Sequence, residues 1–586
     1  MLYISPLLSL NKERRRFGYA DDIAILTTGR NHERTAKVLA RELEMCLQWG
    51  RENGIDFDPA KAELIHFWGN KVPDTQPSLQ MGDTTLSPSK DIRWLGMRLD
   101  NRLSFKAHID EWSGKAARTA NFLRRINKTR KGAPPDAVAI AAKGCVLPLA
   151  LYGAEAYFPG ETRCSIRRPY QDVQTGYTGR INKIQRALQA AARAVIPVWK
   201  TTRISILHRE SGIPPAVVAL QQARHRYATR IAGMDSQHPV VRRTLPIQDI
   251  NPSYRTRLQR TAELCRRCEH RPSLVPDVAP MAQGPNFINL GKEEAQKRHL
   301  EQLLTMPATA IAAYSDGSQL NGRTGWGAAS FYKGKVQQSY GNMANAEVFD
   351  AEVKGANNAL LLIRRTIRQN ANISEAHLFL DNYSVVQGLT GGLPESSQQL
   401  FRDTRALAHT AGALVKVSWA PSHKGIIGNE LADRLAKEGT TLPPPPPCAW
   451  PTLSYIHREA RARQARLLAE YWEHNLPDYY QQWGLAFIPR PPELKLPRPT
   501  LHRLLAERSG HGDFQAYHDR FNHGVTVTCR CGQPKERGHF TECQESRHLL
   551  PPVPRDYNNI QAFLLGPKGS SAFHAFVAGA RPYRTE

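Results

Sequence analysis

The sequence predicts a multidomain protein with α/β and α parts, and three observations carry that prediction. The chain has 586 residues, too many for one hydrophobic core, so three or four domains are expected. Proline-rich stretches divide it. Residues 271–290 lack periodicity and read as part of a linker over 271–305, Pro443–Pro447 is a stiff polyproline II spacer within 442–447, and 490–500 is a further spacer. Between the first two, residues 306–441 pass from strand-like to helix-like runs, which is the pattern of an α/β domain, while 71–270 and 448–586 read mainly as helical.

Composition narrows the function classes. Hydrophobic residues make up 41% and charged residues 23%, the proportions of globular protein. Lys and Arg number 79 against 53 Asp and Glu, for a formal charge of +26, an excess that favours a polyanionic partner such as RNA or DNA. No apolar run reaches the roughly 18 residues of a membrane span; the richest, GCVLPLALYGAEAYF, is fenced by Lys143 and broken by Pro148 and Glu155. The opening MLYISPLLSL has no basic segment before it and no small-residue cleavage site after it, unlike a signal peptide. Nine scattered cysteines do not form a disulfide framework, so an intracellular protein of nucleus or cytoplasm, not a secreted one, is expected.

From the N-terminus, Tyr19-Ala20-Asp21-Asp22, between Phe17-Gly18 and IAIL, places an aspartate pair on a hairpin joining apolar strands. The box resembles the catalytic motif of reverse transcriptases. GIDFDPAKAELIHF resembles that family's next motif, which implies a place for Lys61 near the nucleotide phosphates. IRWLGMRLD resembles the primer-grip hairpin and 104–128 a thumb helix. LALYGAEAYFPG and INKIQRALQAAARAVIPVWKTTR resemble the connection of non-LTR retrotransposon polyproteins. The resemblance implies a partial palm over 1–70 and a thumb with helical connection over 71–270. Polymerisation needs a third metal-binding carboxylate from an upstream strand, and Glu13 is the one acid before Asp21. A truncated, polymerase-inactive remnant, with unpartnered strands around Tyr19–Leu26, is therefore expected unless the missing part is supplied from elsewhere. Cys265-x-x-Cys268 with His270 lacks a second ligand pair and reads as helix-borne thiols.

In 306–441, IAAYSD and WGAASFY read as strands joined at Asn321-Gly322, a favoured hairpin turn. Asp316 ends the first strand. Glu352 starts a helix with apolar residues at Val353, Ala356, Ala359, Leu360 and Ile363. AHLFLD is a short buried strand ending in Asp381, and LVKVSWAP is another. The last helix begins near Asn429, a suitable N-cap, and carries Asp433. Carboxylates gathered at one point repel one another unless cations lie between them, and hard oxygen ligands suit Mg²⁺ or Mn²⁺. SDGS, Ala351-Glu352, Leu380-Asp381 and W-x-P-x-H-x-G-x-x-GNE-x-AD-x-x-A together resemble ribonuclease H type 1 over roughly 308–440. That resemblance implies a mixed five-stranded sheet with flanking helices and cleavage of the RNA strand of RNA–DNA hybrids. It assigns two Mg²⁺ ions to Asp316, Glu352, Asp381 and Asp433, and proton transfer or product departure to His423. An inactive nucleic-acid-binding remnant is the competing reading.

Near the C-terminus, Cys529-x-Cys531 and His539-x-x-x-Cys543 offer four convergent ligands of the Cys₃His type, suited to Zn²⁺. The motif resembles the zinc knuckle of the same retroelements; unliganded thiols are the plainer alternative. The basic stretches RRINKTRK (124–131) and HREARARQAR (457–466) lie on helical patterns. A solvated face is the plain reading of both, and phosphate contact is favoured for the first. Trp472, Tyr479, Tyr480 and Trp483 read as core rather than as a base-stacking platform.

Overall fold

The turn at Asn321-Gly322 sets the register of the central sheet. Both residues have positive φ, +51° and +76°, and they join β2 (Ile311–Leu320) to β3 (Arg323–Tyr332). This turn favours an Asn-Gly pair because its backbone twist matches that of the strands. The structure is a computed structural model, and it describes all residues except 1–2, 11–14, 70–71, 130, 165–171, 175–177, 246–254, 266, 269–277, 371, 444–449, 525 and 581–586. Glu13, His270, the first part of the expected linker and most of the polyproline run lie outside the described residues.

Six strands form the sheet. They are β1 (Ala282–Gln283), β2, β3, β4 (Lys335–Asn342), β5 (Glu375–Leu380) and β6 (Leu414–Trp419), in the order β4-β3-β2-β5-β6-β1. Pairing is antiparallel across β4, β3 and β2 and parallel from β2 through β5 and β6 to β1. Five strands were expected; the sixth is the two-residue edge β1. It comes from the stretch read as linker, which also supplies α1 (Lys292–Thr305). Periodicity was weak there, but Glu293 and Glu294 in the first turn and the i,i+4 pair Glu294–Arg298 support a helix locally. His299 then docks α1 by sharing a hydrogen bond with the Tyr314 hydroxyl at 3.0 Å.

Between α1 and residue 475 the helices are α2 (Val348–Gln369), α3 (Tyr383–Thr390), α4 (Gln398–His409), α5 (Ile427–Thr441) and α6 (Leu453–Asn475). One apolar cluster joins the α2 face Val353, Ala356, Ala359, Leu360 and Ile363 to Ala313, Leu378, Val417 and Phe401. A second, under α5, joins Tyr314, Phe379, Ala420, Ile426 and Ala432. Full burial of each larger side chain contributes on the order of 1.5–3 kcal/mol.

These elements belong to one compact unit, Phe158–Thr175 with Leu220–His474; the other comprises Met1–Tyr157, Gly176–Ala219 and Asn475–Glu586. The second unit thus joins regions that the sequence spaces far apart. In it, strands Arg16–Tyr19 and Asp22–Ile25 form a hairpin, and Ile23 and Ile25 pack on Leu7, Cys46 and Trp49. The strands expected to lack partners therefore have one apolar face covered. A second hairpin pairs Asp91–Trp94 with Met97–Asp100, followed by a helix over Lys106–Ile126. Tyr480 and Trp483 are buried there, and Trp472 is buried in the other unit, as core reading predicts, whereas Tyr479 is only half-buried. Cys265 and Cys268 lie beyond the helix Arg257–Ala262 rather than on it, packed with Ala232, Leu453 and Ile456. Among the described residues, no helix is long and apolar enough to cross a membrane.

Candidate active site

Each carboxylate arrives on a different element. Asp316 lies in mid-strand on β2, Glu352 in the second turn of α2, and Asp381 one residue beyond β5. Helix α2 approaches β2 closely because residue 317 is glycine: a Cβ there would lie 2.7 Å from the Glu352 nitrogen. The two glutamate-bearing and aspartate-bearing backbones could not meet in this way with a larger side chain. Oxygens of Asp316, Glu352 and Asp381 all lie within 4.8 Å of one another.

Burial makes this gathering costly. Asp316 and Glu352 are 7% and 5% exposed. The Asp316 carboxyl is pushed up to about 7, first by burial and then by the charge of Asp381. Burial and the charges of Asp316 and Asp381 raise Glu352 well above the carboxylate range. Asp381 is also raised, by burial foremost, while Asn429 and the charge of His423 act in the opposite direction. One oxygen of Glu352, Oε2, is buried with no hydrogen-bond partner among the described residues. Three mutually repelling acids and an orphaned oxygen are the donor set that a divalent cation satisfies.

Asp433 and His423 stand at the margin. Asp433, on α5, acts on Asp316 electrostatically but pairs with Lys437 at 2.7 Å and lies outside the tight trio. His423 is exposed, on the loop before α5, with φ at +53°.

Asn429 is not the expected N-cap. Helix α5 starts two residues earlier, with Ile426 at the cap. Asn429 is instead buried in the first turn, and its Nδ2 lies 3.4 Å from Asp381 Oδ2. Sequence reasoning also missed Trp419, whose Nε1 donates to the Asp381 carbonyl at 2.8 Å. It missed α1 as a brace for the His423 loop as well: Gln296 donates to the Lys424 carbonyl, and Lys424 pairs with Glu293 at 3.2 Å. Asn429 was visible inside the GNE motif; nothing local in α1 points to a loop more than 100 residues away.

The other predicted residues divide in the same way. Cys529, Cys531, His539 and Cys543 come together, with ligand atoms within 4.8 Å of one another. A turn closed from Gly532 N to Cys529 O presents the first two cysteines, and one turn of helix separates His539 from Cys543. By contrast, Asp21 and Asp22 are exposed, and among the described residues no third acid, His or Cys joins them. Lys61 is 85% exposed and pairs with Asp58 at 3.4 Å.

Comparison with known proteins places similarity on part of the chain. The RNase H family matches residues 308–441. A Pol polyprotein from the type-1 retrotransposable element R1 of Bradysia coprophila is 24% identical over 192 residues, 33% of this chain and 18% of that protein. A Nasonia vitripennis R1 Pol polyprotein is 23% identical over 189 residues, 32% of this chain and 56% of that protein. Ribonuclease H of Acidovorax sp. (strain JS42) is 28% identical over 147 residues, 22% of this chain and 93% of that enzyme. A crystal structure of LC11-RNase H1 in complex with RNA/DNA hybrid is 17% identical, with a TM-score of 0.20, over 22% of this chain and 96% of that one. The chain thus spans about a fifth and about half of the length of the first two polyproteins. Residues 308–441 form an RNase H domain, within a chain that is similar to Pol polyproteins of type-1 retrotransposable elements R1.

Proposed function

We propose that the protein cleaves the RNA strand of RNA–DNA hybrids at the Asp316, Glu352 and Asp381 cluster. The convergence of two buried carboxylates, Asp316 and Glu352, with the half-buried Asp381 in an RNase H domain is the observation that carries this reading. Asp316, Glu352, Asp381 and Asp433 would together hold two Mg²⁺ or Mn²⁺ ions. Such ions, when bound, supply an activated water and stabilise the departing 3′ oxygen. The chain's own groups set the stage. Asn429 orients Asp381, Trp419 fixes the backbone behind it, and His423 moves a proton or speeds product departure from its exposed loop. Recognition of 2′-hydroxyls in the minor groove, without base readout, selects the RNA strand. Labelled hybrid incubated with the full chain is cut when Mg²⁺ is present, and Asp316→Asn abolishes cutting. Retained cleavage in that variant excludes this site, and no cleavage by the wild-type chain favours an inactive nucleic-acid-binding remnant.

The same reading assigns Zn²⁺ to Cys529, Cys531, His539 and Cys543 as a small structural knuckle. Elemental analysis of the purified chain then finds about one zinc per molecule, lost in Cys531→Ser. A partial polymerase palm, thumb and connection remain the reading of 1–270, supported by the two hairpins and the helix Lys106–Ile126. Synthesis is not ascribed to this chain alone, because no third ligand accompanies Asp21 and Asp22 among the described residues.

A further inference from the structure

Helix α6 follows the RNase H domain, yet its first turns are keyed to the helix that carries Glu352. Glu347 caps α2 and Asp350 is its third residue. The fully buried Asp350 accepts from Ser396 and Ser397 at 2.8 Å each, from Thr452 at 2.6 Å and from Ser454. The Thr452 nitrogen donates to the Asn345 carbonyl at 3.0 Å. Arg458, in the second turn of α6, pairs with Glu347 at 3.1 Å. Leu453 and Ile456 are buried beside Ala232 and Cys268. The start of α6 is thus anchored to the α2 N-terminus, and Glu347 precedes Glu352 by only about 7.5 Å along the axis of α2.

From that anchor α6 presents cations. Residues 457–466 hold four arginines and one glutamate, and Arg461, Arg463 and Arg466 are exposed. Among the described residues no ion pair joins these three. Arg463 instead adds its charge to Arg224, on the helix Ala216–Ala232, and to His225 beside it; Arg260 also acts on Arg224. Burial, then these like charges, holds Arg224 down to about 10 and His225 to about 4. The acids facing this group are already engaged: Glu263 pairs with Arg255 at 2.7 Å, Glu459 lies 4.0 Å from Arg458, and Glu347, on which Arg461 also acts, pairs with Arg458. A gathering of cations held against one another is relieved by a polyanion, and arginine forks suit phosphate oxygens. A duplex segment as long as the roughly 12 Å from Arg458 to Arg466 carries about seven phosphate charges.

We propose that the arginine face of α6, Arg461, Arg463 and Arg466 with Arg224 behind them, is a docking surface for the phosphate backbone of the hybrid duplex. The proposal rests on the reading of the carboxylate cluster as a hybrid nuclease, and it adds a second contact on the helix anchored to the N-terminus of α2. It is tested in the full chain carrying Asp316→Asn, by anisotropy of a labelled RNA–DNA hybrid from 50 to 300 mM KCl. Replacing Arg461, Arg463 and Arg466 by Gln weakens binding at least about tenfold at 100 mM and flattens the log Kd against log salt slope by about two to three, near 0.9 per lost contact. The melting temperature holds. A control variant with Arg364, Arg365 and Arg368 changed to Gln removes the same charge from the last turns of α2 and leaves the slope nearly unchanged. Equal slopes in wild type and the α6 variant, or equal flattening in the control, overturn the proposal. So does loss of binding to polyglutamate or to phosphatidylserine vesicles with the hybrid slope intact. Cleavage by the Asp316-intact chain is measured separately: a nuclease with an unchanged slope sinks only the docking surface, and a flattened slope without cleavage sinks only the nuclease reading.

Discussion

Asn429 decides more at the site than its place in a helix suggests. A buried side chain within 3.4 Å of Asp381 Oδ2 holds one rotamer of that carboxylate. Outer partners of metal-binding carboxylates are worth about 10–100-fold in affinity or activity. Asn429→Ala should therefore lower hybrid cleavage by about 10-fold and raise the Mg²⁺ concentration at half-maximal rate, with little change in melting temperature. An unchanged Mg²⁺ titration would mean that Asp381 needs no such support. The four acids and His423 were legible because Asp316, Glu352 and Asp381 each sit in a short motif and His423 and Asp433 share another. The role of Asn429 was not, since Asn before a helix suits a cap equally well and only the tertiary approach of α5 to β5 brings it to Asp381.

At the scale of elements, α1 marks the limit of periodicity as a guide. Its stretch reads as linker, yet it buries His299 between Tyr314 and Phe379, with the Phe379 ring 4.6 Å away. Burial holds the His299 imidazole down to about 4. The folded state thus favours the neutral ring. Its contribution is complete above about pH 6.5, the ordinary value, and is lost as pH falls from there towards 4, by on the order of 3 kcal/mol at full extent. Amide exchange over 292–320 should accordingly quicken between pH 6.5 and 4.5, after correction for intrinsic rates, and His299→Gln should lose most of that dependence. The Asn321-Gly322 hairpin and the Lys106–Ile126 helix needed no such tertiary help, because Asn-Gly and a long amphipathic run are local signals.

The whole molecule is organised by contacts no local pattern announces. Arg209, Glu210, Glu493 and Arg508 are all at most 2% exposed, and together they tie the helix Ile204–Ser211 to residues almost 300 positions later. Arg508 also donates to the carbonyls of Leu565 and Gly566, and Tyr480 donates to Glu210. Removing one partner leaves a buried charge uncompensated, at a cost of about 3–5 kcal/mol. Glu210→Gln should lower the denaturant midpoint of the transition that exposes Trp483. If that transition keeps its midpoint, the network contributes little and the C-terminal region folds independently of Ile204–Ser211.

By itself the sequence determined which residues could act together: the acids, the Cys₃His set, the charge of +26 and the Asn321-Gly322 hairpin, all of which depend on residue type and short spacing. Tertiary structure alone decided that β1 and α1 belong to the α/β unit, that Asp433 stands outside the tight carboxylate trio, and that α6 is fastened to the helix of Glu352. Those outcomes depend on which surfaces meet after folding. The glycine at 317, the buried Asp350 and the docked His299 set them through contacts between residues distant in the chain.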